Sequence, residues 1–351
     1  MKVLKQVLGV DVAQDELVCS LGKLNEDLST ENFAFQVFNN SIKGFKSLLK
    51  WVALKKSADT EVVFVMEATG VYHEKFAYFL HEKNEKVAIV LPNKISNFMR
   101  TLDIKTITDK SCSIAISQFG LGRKLDYWQP SNAVYKTLQQ LSREKNQVVA
   151  ERVMCMNQLH AENTEAHPNK ATIKRLNQRI KLLKSQEKEI VNDMQLEVKN
   201  SKEASENIAY MTSIPGVGEA TAISVLAETN GFELIKNKRQ LTSYAGLDVR
   251  EKQSGTSVKG KPKISKKGNR NLRKALHFPS MTAVKRNDEH RELFHRIVSR
   301  TGIKMKALVA VQRKLLELMY ILYKTKSFYE ASYEENRAKN KEIFHPIQAD
   351  F

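Results

Sequence analysis

LKQVLGVDVA at residues 4–13 and VVFVMEATG at residues 62–70 decide the fold. In the first, Leu4, Val7, Leu8, Val10 and Val12 mark a strand, with Gly9 just before Asp11. The second opens on five consecutive apolar residues, the sign of a strand buried on both faces, and runs into Glu67. Outward from these, Leu17 to Leu21 reads as another strand, and Phe33, Phe35 and Val37 alternate with polar residues as in a half-buried one. Residues 43–55 take helical spacing through Phe45, Leu48, Leu49 and Val52, and a second helix passes through Phe76, Phe79 and Leu80. The strand VAIVL at 87–91 follows, and Pro92-Asn93 breaks the chain before a further helix. Three opening strands and then helix alternating with strand predict an α/β sheet domain over residues 1–130. In such a sheet, ligands gather at the carboxyl ends of strands. Asp11 and Glu67, both at strand ends, are candidates to share a hard cation such as Mg2+. Two such cations about 4 Å apart can activate a nucleophile and stabilise a leaving oxygen in phosphoryl transfer. Strand-end acids are common, and the two residues alone leave a purely structural reading level with this one.

The next stretch, 131–205, carries no strand signal. Val134, Leu138, Leu141 and Val148 step by threes, fours and sevens, and Leu159 keeps the phase. His167-Pro168-Asn169 interrupts, and Ile173, Leu176, Ile180, Leu183, Glu187, Ile190 and Met194 resume a heptad-like stripe between charged flanks. The pattern predicts an antiparallel helical hairpin or coiled-coil arm, with two ordinary core helices as the plainer alternative. Residues 206–326 read as a mainly α domain. There Ile214-Pro215-Gly216-Val217-Gly218 precedes an apolar helix, the spacing of a helix-hairpin-helix turn in which Gly216 and Gly218 let backbone N–H groups approach a phosphate. A last helix runs from Ile303 to Tyr323, and 327–351 is a polar, mobile tail.

Lys and Arg number 57 against 39 Asp and Glu, a net charge of +18 that draws polyanions, nucleic acid first among them. Within one acid-free stretch lie Lys259, Lys261, Lys263, Lys266, Lys267, Arg270, Arg273 and Lys274, with Gly255, Gly260 and Gly268 keeping the backbone open. That is a phosphate-contact surface. Tyr244, His277 and Phe278 are aromatics that either stack on bases or pack in the core. Cys19, Cys112 and Cys155 are scattered, which argues against a disulfide framework and a zinc knuckle. No apolar run suits a signal peptide or a membrane span, so a soluble protein of a reducing, cytoplasmic compartment is expected.

Three blocks carry a resemblance: Gly9-Val10-Asp11-Val12-Ala13, Met66-Glu67-Ala68-Thr69-Gly70-Val71-Tyr72-His73-Glu74, and Lys105-Thr106-Ile107-Thr108-Asp109-Lys110. With the stretch from Gln240 to Leu276 they resemble the DEDD transposases of insertion sequences, the family called IS one-ten, related to the pilin-gene inversion recombinases. The resemblance implies an N-terminal RuvC-like domain, a variant of the RNase H fold. It implies that Asp11, Glu67 and Asp109 are three of four acids holding Mg2+ or Mn2+. The fourth acid of the family stands three residues after the third; here that position is Cys112, and Asp103 is a nearby acid out of helical phase. A thiol is a poor ligand for magnesium. The resemblance also makes Ser254 a nucleophile toward DNA, with Ser257 as the fallback. Duplex DNA and a structured noncoding bridge RNA are the implied partners. Dimers pairing into a tetramer are the implied assembly, joined through the arm, with the acids of one subunit meeting the serine of another. Two other readings use the same residues. An RuvC-like nuclease would have no need of Ser254, and a catalytically impaired nucleic-acid-binding copy would account for Cys112.

Overall fold

The computed structural model describes residues 2–57, 60–68, 70–102, 106–233, 235–251, 253–254, 258–260 and 262–331; at 253, 254, 258 and 259 it describes the backbone alone. The chain divides into two compact units, Met1–Pro130 and Ser131–Phe351.

In the first unit, β1 (Val3–Val12), β2 (Glu16–Asn25) and β3 (Thr30–Asn39) form an antiparallel meander, and β4 (Val62–Glu67) and β5 (Lys86–Val90) add on parallel to β1. The order is β3-β2-β1-β4-β5, with β2 alone running against the rest, which makes this mixed α/β unit RNase H-like. Period-two alternation distributes the side chains. Leu8, Val10 and Val12, with Phe64 and Met66, pack on one face against α1 (Ile42–Lys55) and α2 (Glu74–Glu82). Val7, Val63, Val65, Ala88 and Val90 pack on the other, against α3 (Pro92–Met99) and α4 (Asp109–Leu121). Both faces of β1 and β4 are covered, which is why their sequences read as near-continuous apolar runs. At the sheet edge, Phe35 and Val37 alternate as expected, yet remain exposed.

Helix α4 lies directly on β1. A Cβ on Gly9 would stand 2.2 Å from the Ser113 carbonyl oxygen and 2.3 Å from the Ser117 nitrogen. Ser113 and Ser117 are fully buried, and the Ser117 hydroxyl donates to the Val7 carbonyl at 3.1 Å. At the far end, Lys5 Nζ donates to the carbonyls of Gly120 and Arg123, each at 2.6 Å, placing a cation at the helix carboxyl end.

The second unit begins with a helical hairpin. Helix α5 (Ala133–Thr164) ends ahead of Pro168, and Asn169 caps α6 (Lys170–Asn200) by accepting from the nitrogens of Ala171 and Thr172. Leu176, Ile180 and Leu183 pack against Cys155 in the arm, and Arg152 pairs with Glu187 at 3.0 Å. Nearer the body of the unit, Leu138 of α5 and Ile190, Met194 and Val198 of α6 enter a larger core. That core is completed by α7 (Lys202–Thr212), α8 (Glu219–Thr229), α9 (Lys238–Ala245), α10 (Arg270–Ala275), α11 (His277–Arg286), α12 (Asp288–Thr301) and α13 (Lys304–Thr325). Between α9 and α10 lie two small antiparallel ribbons that the sequence pattern does not announce. One pairs β6 (Val249–Arg250) with β9 (Lys263–Ile264), and the other pairs β7 (Gln253–Ser254) with β8 (Val258–Lys259). Strands of two residues are too short to display a period.

One buried carboxylate organises this unit. Glu228 of α8 accepts both nitrogens of a bidentate Arg143, each at 2.9 Å, the Asn269 amide at 2.7 Å and the Asn271 amide at 2.8 Å. Burial alone would raise its pKa; these donors outweigh it and hold the carboxyl below the usual carboxylate value. The segment expected to be a mobile tail begins as packed chain. Tyr329 takes a hydrogen bond from Asn287 at 2.6 Å and its backbone donates to Ser213, while Phe328 meets Tyr210 edge-on. The rest of that segment, 332–351, lies outside the described residues.

Two stability predictions arise here. Gly9→Ala forces backbone against backbone and is expected to cost on the order of 2 kcal/mol, read as a lowered midpoint in urea; an unchanged midpoint would disprove the contact. Glu228→Gln is expected to cost about 2 kcal/mol at pH 7. Because the folded pKa is depressed, the carboxylate's contribution is present above the unfolded value near 4.5 and is lost as pH falls through the folded one. The gap between wild type and Glu228→Gln should therefore close on acidification; a gap independent of pH would contradict this.

Candidate functional site

Three carboxylates gather at one edge of the first unit. The parallel register sets Val10 opposite Met66, so the next residues, Asp11 and Glu67, emerge side by side at the carboxyl ends of β1 and β4. Both follow the parity of Gly9 and Val65, and so both face α4. On α4, Asp109, Ser113 and Ser117 recur every four residues along the face that meets β1. Asp109 opens that helix, whose first turn is fixed by a capping box: Thr108 accepts from the Ser111 nitrogen at 3.2 Å and the Ser111 hydroxyl accepts from the Thr108 nitrogen at 2.8 Å. The Asn40 amide donates to the carbonyls of Ala13 (2.9 Å) and Tyr72 (3.2 Å), tying the loop after β4 to the end of β1.

The electrostatics follow from this convergence. Partial burial, then the charges of Asp109 and Glu67, push the Asp11 carboxyl up to about 6, although the Val12 backbone hydrogen bond pulls the other way. Burial and then the charges of Asp11, Asp109 and Glu67 raise the Cys112 thiol, so Cys112 shares the neighbourhood as a neutral group. The donor set is oxygen-rich and over-supplied with negative charge, which suits a hard divalent cation. Among the described residues, no three His, Cys, Asp or Glu side chains converge into one coordination sphere. Asp11, Glu67 and Asp109 share a field without forming a closed cage. Thr69, Lys105 and Asp103 lie outside the described residues.

The residues singled out in the second unit fall into groups. Ser254 ends β7 and its backbone pairs with Val258 in β8, at a hairpin whose connecting residues, Ser257 included, lie outside the described ones. Lys261 lies outside them too, and of Lys259 only the strand backbone is described. Lys263, Lys266, Lys267, Arg270 and Lys274 are exposed. Arg273 differs: one guanidinium nitrogen donates to the Ala245, Gly268 and Asn269 carbonyls at 2.8, 3.2 and 3.3 Å, so part of its donor capacity holds the chain together. Gly216, at φ +99°, presses on α11, where a Cβ would meet the Ala283 nitrogen at 2.9 Å. Gly218 caps α8 in open space, but Glu219 brings an acid into the first turn, which opposes a phosphate there. Tyr244 donates to the Glu228 carbonyl at 2.9 Å, whereas Phe278 is exposed. Ser113, Ser117 and Asn40 escaped the sequence reading. For the serines, the four-residue spacing of small residues back to Asp109 was the available signal.

The chain is similar to known transposases and recombinases. A transposase profile of the DEDD type matches residues 8–168, and the profile of the "Transposase IS116/IS110/IS902 family" matches residues 208–295. The pilin gene-inverting proteins of Moraxella bovis and Moraxella lacunata are each 26% identical over 324 residues, covering 90% of this chain and 95% of those proteins. The transposase for insertion sequence element IS1111A of Coxiella burnetii is 31% identical over 147 residues, covering 40% of this chain and 39% of its own. A structure of T. thermophilus RuvC in complex with a Holliday junction substrate aligns with 35% of this chain and 99% of its own, at 9% identity and a TM-score of 0.27, so the fold assignment rests on the strand order instead. The two profile matches together span more than half of the sequence, one on each unit, and the chain belongs to the IS110 family of transposases and recombinases that act on DNA.

Proposed function

We propose that the chain exchanges DNA strands by a metal-dependent, serine-based mechanism, with an RuvC-like first unit. The observation that carries this reading is the electrostatic field that Asp11 shares with Glu67 and Asp109 at the carboxyl ends of β1 and β4. These three would hold Mg2+ or Mn2+. Once bound, the cation would neutralise developing charge on phosphate oxygens. Cys112 adds no oxygen to the set, so water would complete the sphere. The Ser254 hydroxyl would attack a backbone phosphorus, a phosphoserine bond forming as the P–O bond to one deoxyribose breaks; the serine's proton would pass to the acidic site of a partner subunit and a proton be returned to the leaving deoxyribose oxygen. Attack by a deoxyribose hydroxyl of the exchanging strand then breaks the phosphoserine bond and restores the serine. The exposed lysines of 263–274 bind the phosphates of duplex DNA and of a bridge RNA that selects the sites. Subunits join through the helical arm, where Val153, Met154, Met156 and Leu182 leave apolar surface exposed, and dimers pair into a tetramer. A binding-only copy is the second reading, favoured by Cys112.

The test is a plasmid recombination assay supplied with the flanking noncoding region. Asp11→Asn and Ser254→Ala are each expected to lower recombination by roughly 10^3-fold or more, with DNA binding retained; cleavage surviving in Ser254→Ala would point to a nuclease instead. Cys112→Asp separates the readings, since recombination gained only in that variant marks the chain as an impaired copy. Metal affinity gives a readout independent of turnover. Calorimetric Mn2+ binding should vanish in Asp11→Asn and tighten about tenfold in Cys112→Asp as an oxygen ligand is added; binding indifferent to both changes would remove the cation from this site.

A further inference from the structure

The second unit contains a cleft of about 680 Å3, bounded by the β6–β9 ribbon on one side and by α12 and α13 on the other. Leu247, Ile264, Ile297 and Val309 give it an aliphatic floor, and Val249 and Met305 add exposed apolar surface beside it. Its rim is cationic: Lys263, Lys266, Arg296, Arg300 and Lys306 all line it and are all exposed. None of these five has an acidic partner among the described residues, and no Asp or Glu lines the cleft. Two further lining cations, Arg313 and Lys314, are already answered by Glu317 at 3.1 and 3.9 Å.

The sequence builds this composition by period. On α12, Leu293 and Ile297 share the inner face, while Arg296 and Arg300, also four apart, stand at its border. On α13, Met305 and Val309 do the same beside Lys306. Five exposed cations that form no salt bridge among the described residues, set around an apolar floor, give the cleft a positive field, and an anion that carries an apolar face answers both the charge and the exposed apolar surface. A nucleotide is such an anion: flat faces on the base, charge on the flanking phosphates. In a duplex those faces are stacked away, so only an unpaired base reaches the floor. The volume falls in the range of small-ligand pockets, roughly 300–1,000 Å3. Lys263 and Lys266 belong both to this rim and to the acid-free run, which continues the phosphate-contact surface into the cleft.

We propose that this cleft receives one unpaired nucleotide of a nucleic-acid strand, its base against the aliphatic floor and its neighbouring phosphates on the rim. The assignment rests on the reading of the second unit as the surface that meets nucleic acid. The probes are a 12-nucleotide single strand with one central 2-aminopurine and the same strand abasic at that position, titrated onto the full chain. Binding should brighten the 2-aminopurine, because it leaves its stacked neighbours for an aliphatic surface, and the abasic strand should bind about tenfold more weakly. Met305→Gln, at an exposed position that the fold tolerates, and Ile297→Asn should each narrow that gap to within about threefold. Arg296→Gln with Arg300→Gln should weaken both strands and flatten the logarithmic salt dependence by about 0.7 per lost contact. Equal binding of the intact and abasic strands overturns the proposal. So does an acidic, leucine-rich peptide whose binding the Met305 and Ile297 variants weaken while the strand's is untouched, because the cleft then belongs to a protein partner. Loss of recombination with strand discrimination intact sinks the strand-exchange reading alone, and the reverse result sinks the cleft alone.

Discussion

The contact of α4 with β1 at Gly9 is the constraint on which the acidic site depends. With no Cβ at position 9, the helix backbone reaches the strand backbone, and Ser113 and Ser117 are small enough to be buried in the seam. Geometry then leaves little choice. Two residues along the strand from Gly9 is Asp11, on the same face; one turn back along the helix from Ser113 is Asp109, also on the same face. The parallel pairing of β1 with β4 adds Glu67. A bulkier residue at position 9 would part the helix from the sheet and the acids from each other. The raised proton affinity of Asp11 comes first from its burial and then from the neighbouring charges of Asp109 and Glu67.

In the second unit the comparable role falls to Glu228. Its four N–H partners come from three separate parts of the chain: α5, the turn before α10, and α10 itself. They use up the carboxylate's acceptor capacity, and so a buried charge is tolerated. The arrangement seats the start of the basic helix on α8, and it sorts a run of like charges by use. Arg273 turns inward to hold carbonyls, while its neighbours Arg270 and Lys274 keep their charge in solvent. A run of lysines and arginines that looks uniform in sequence is thus divided between holding the fold and facing a partner.

The elements that could be read from the sequence are those whose burial has a period. β1 and β4 are covered on both faces and so must be apolar almost throughout. The hairpin of α5 and α6 buries one stripe per helix, and Leu176, Ile180, Leu183, Ile190 and Met194 trace it. The strand-end positions of Asp11 and Glu67 were legible because the apolar runs of such strands stop there. The ribbons β6–β9 and β7–β8 were not, since two-residue strands among glycines and lysines have no pattern to show. Nor was the anchoring of Tyr329, which depends on Asn287 and Ser213, far away in the chain.

By itself the sequence determined the two kinds of unit, the strand-end positions of Asp11 and Glu67, the acid-free basic run and the cysteine at position 112, because each is a matter of composition or of local spacing. Only the tertiary structure decided that Gly9 meets Ser117, that Asp109 shares a field with Asp11 and Glu67, that Arg273 is spent on carbonyls, and that the cations of α12 and α13 stand around an aliphatic cleft. Those facts depend on which residues distant in the chain come to touch, and contact at a distance is settled by close packing, which no local period encodes.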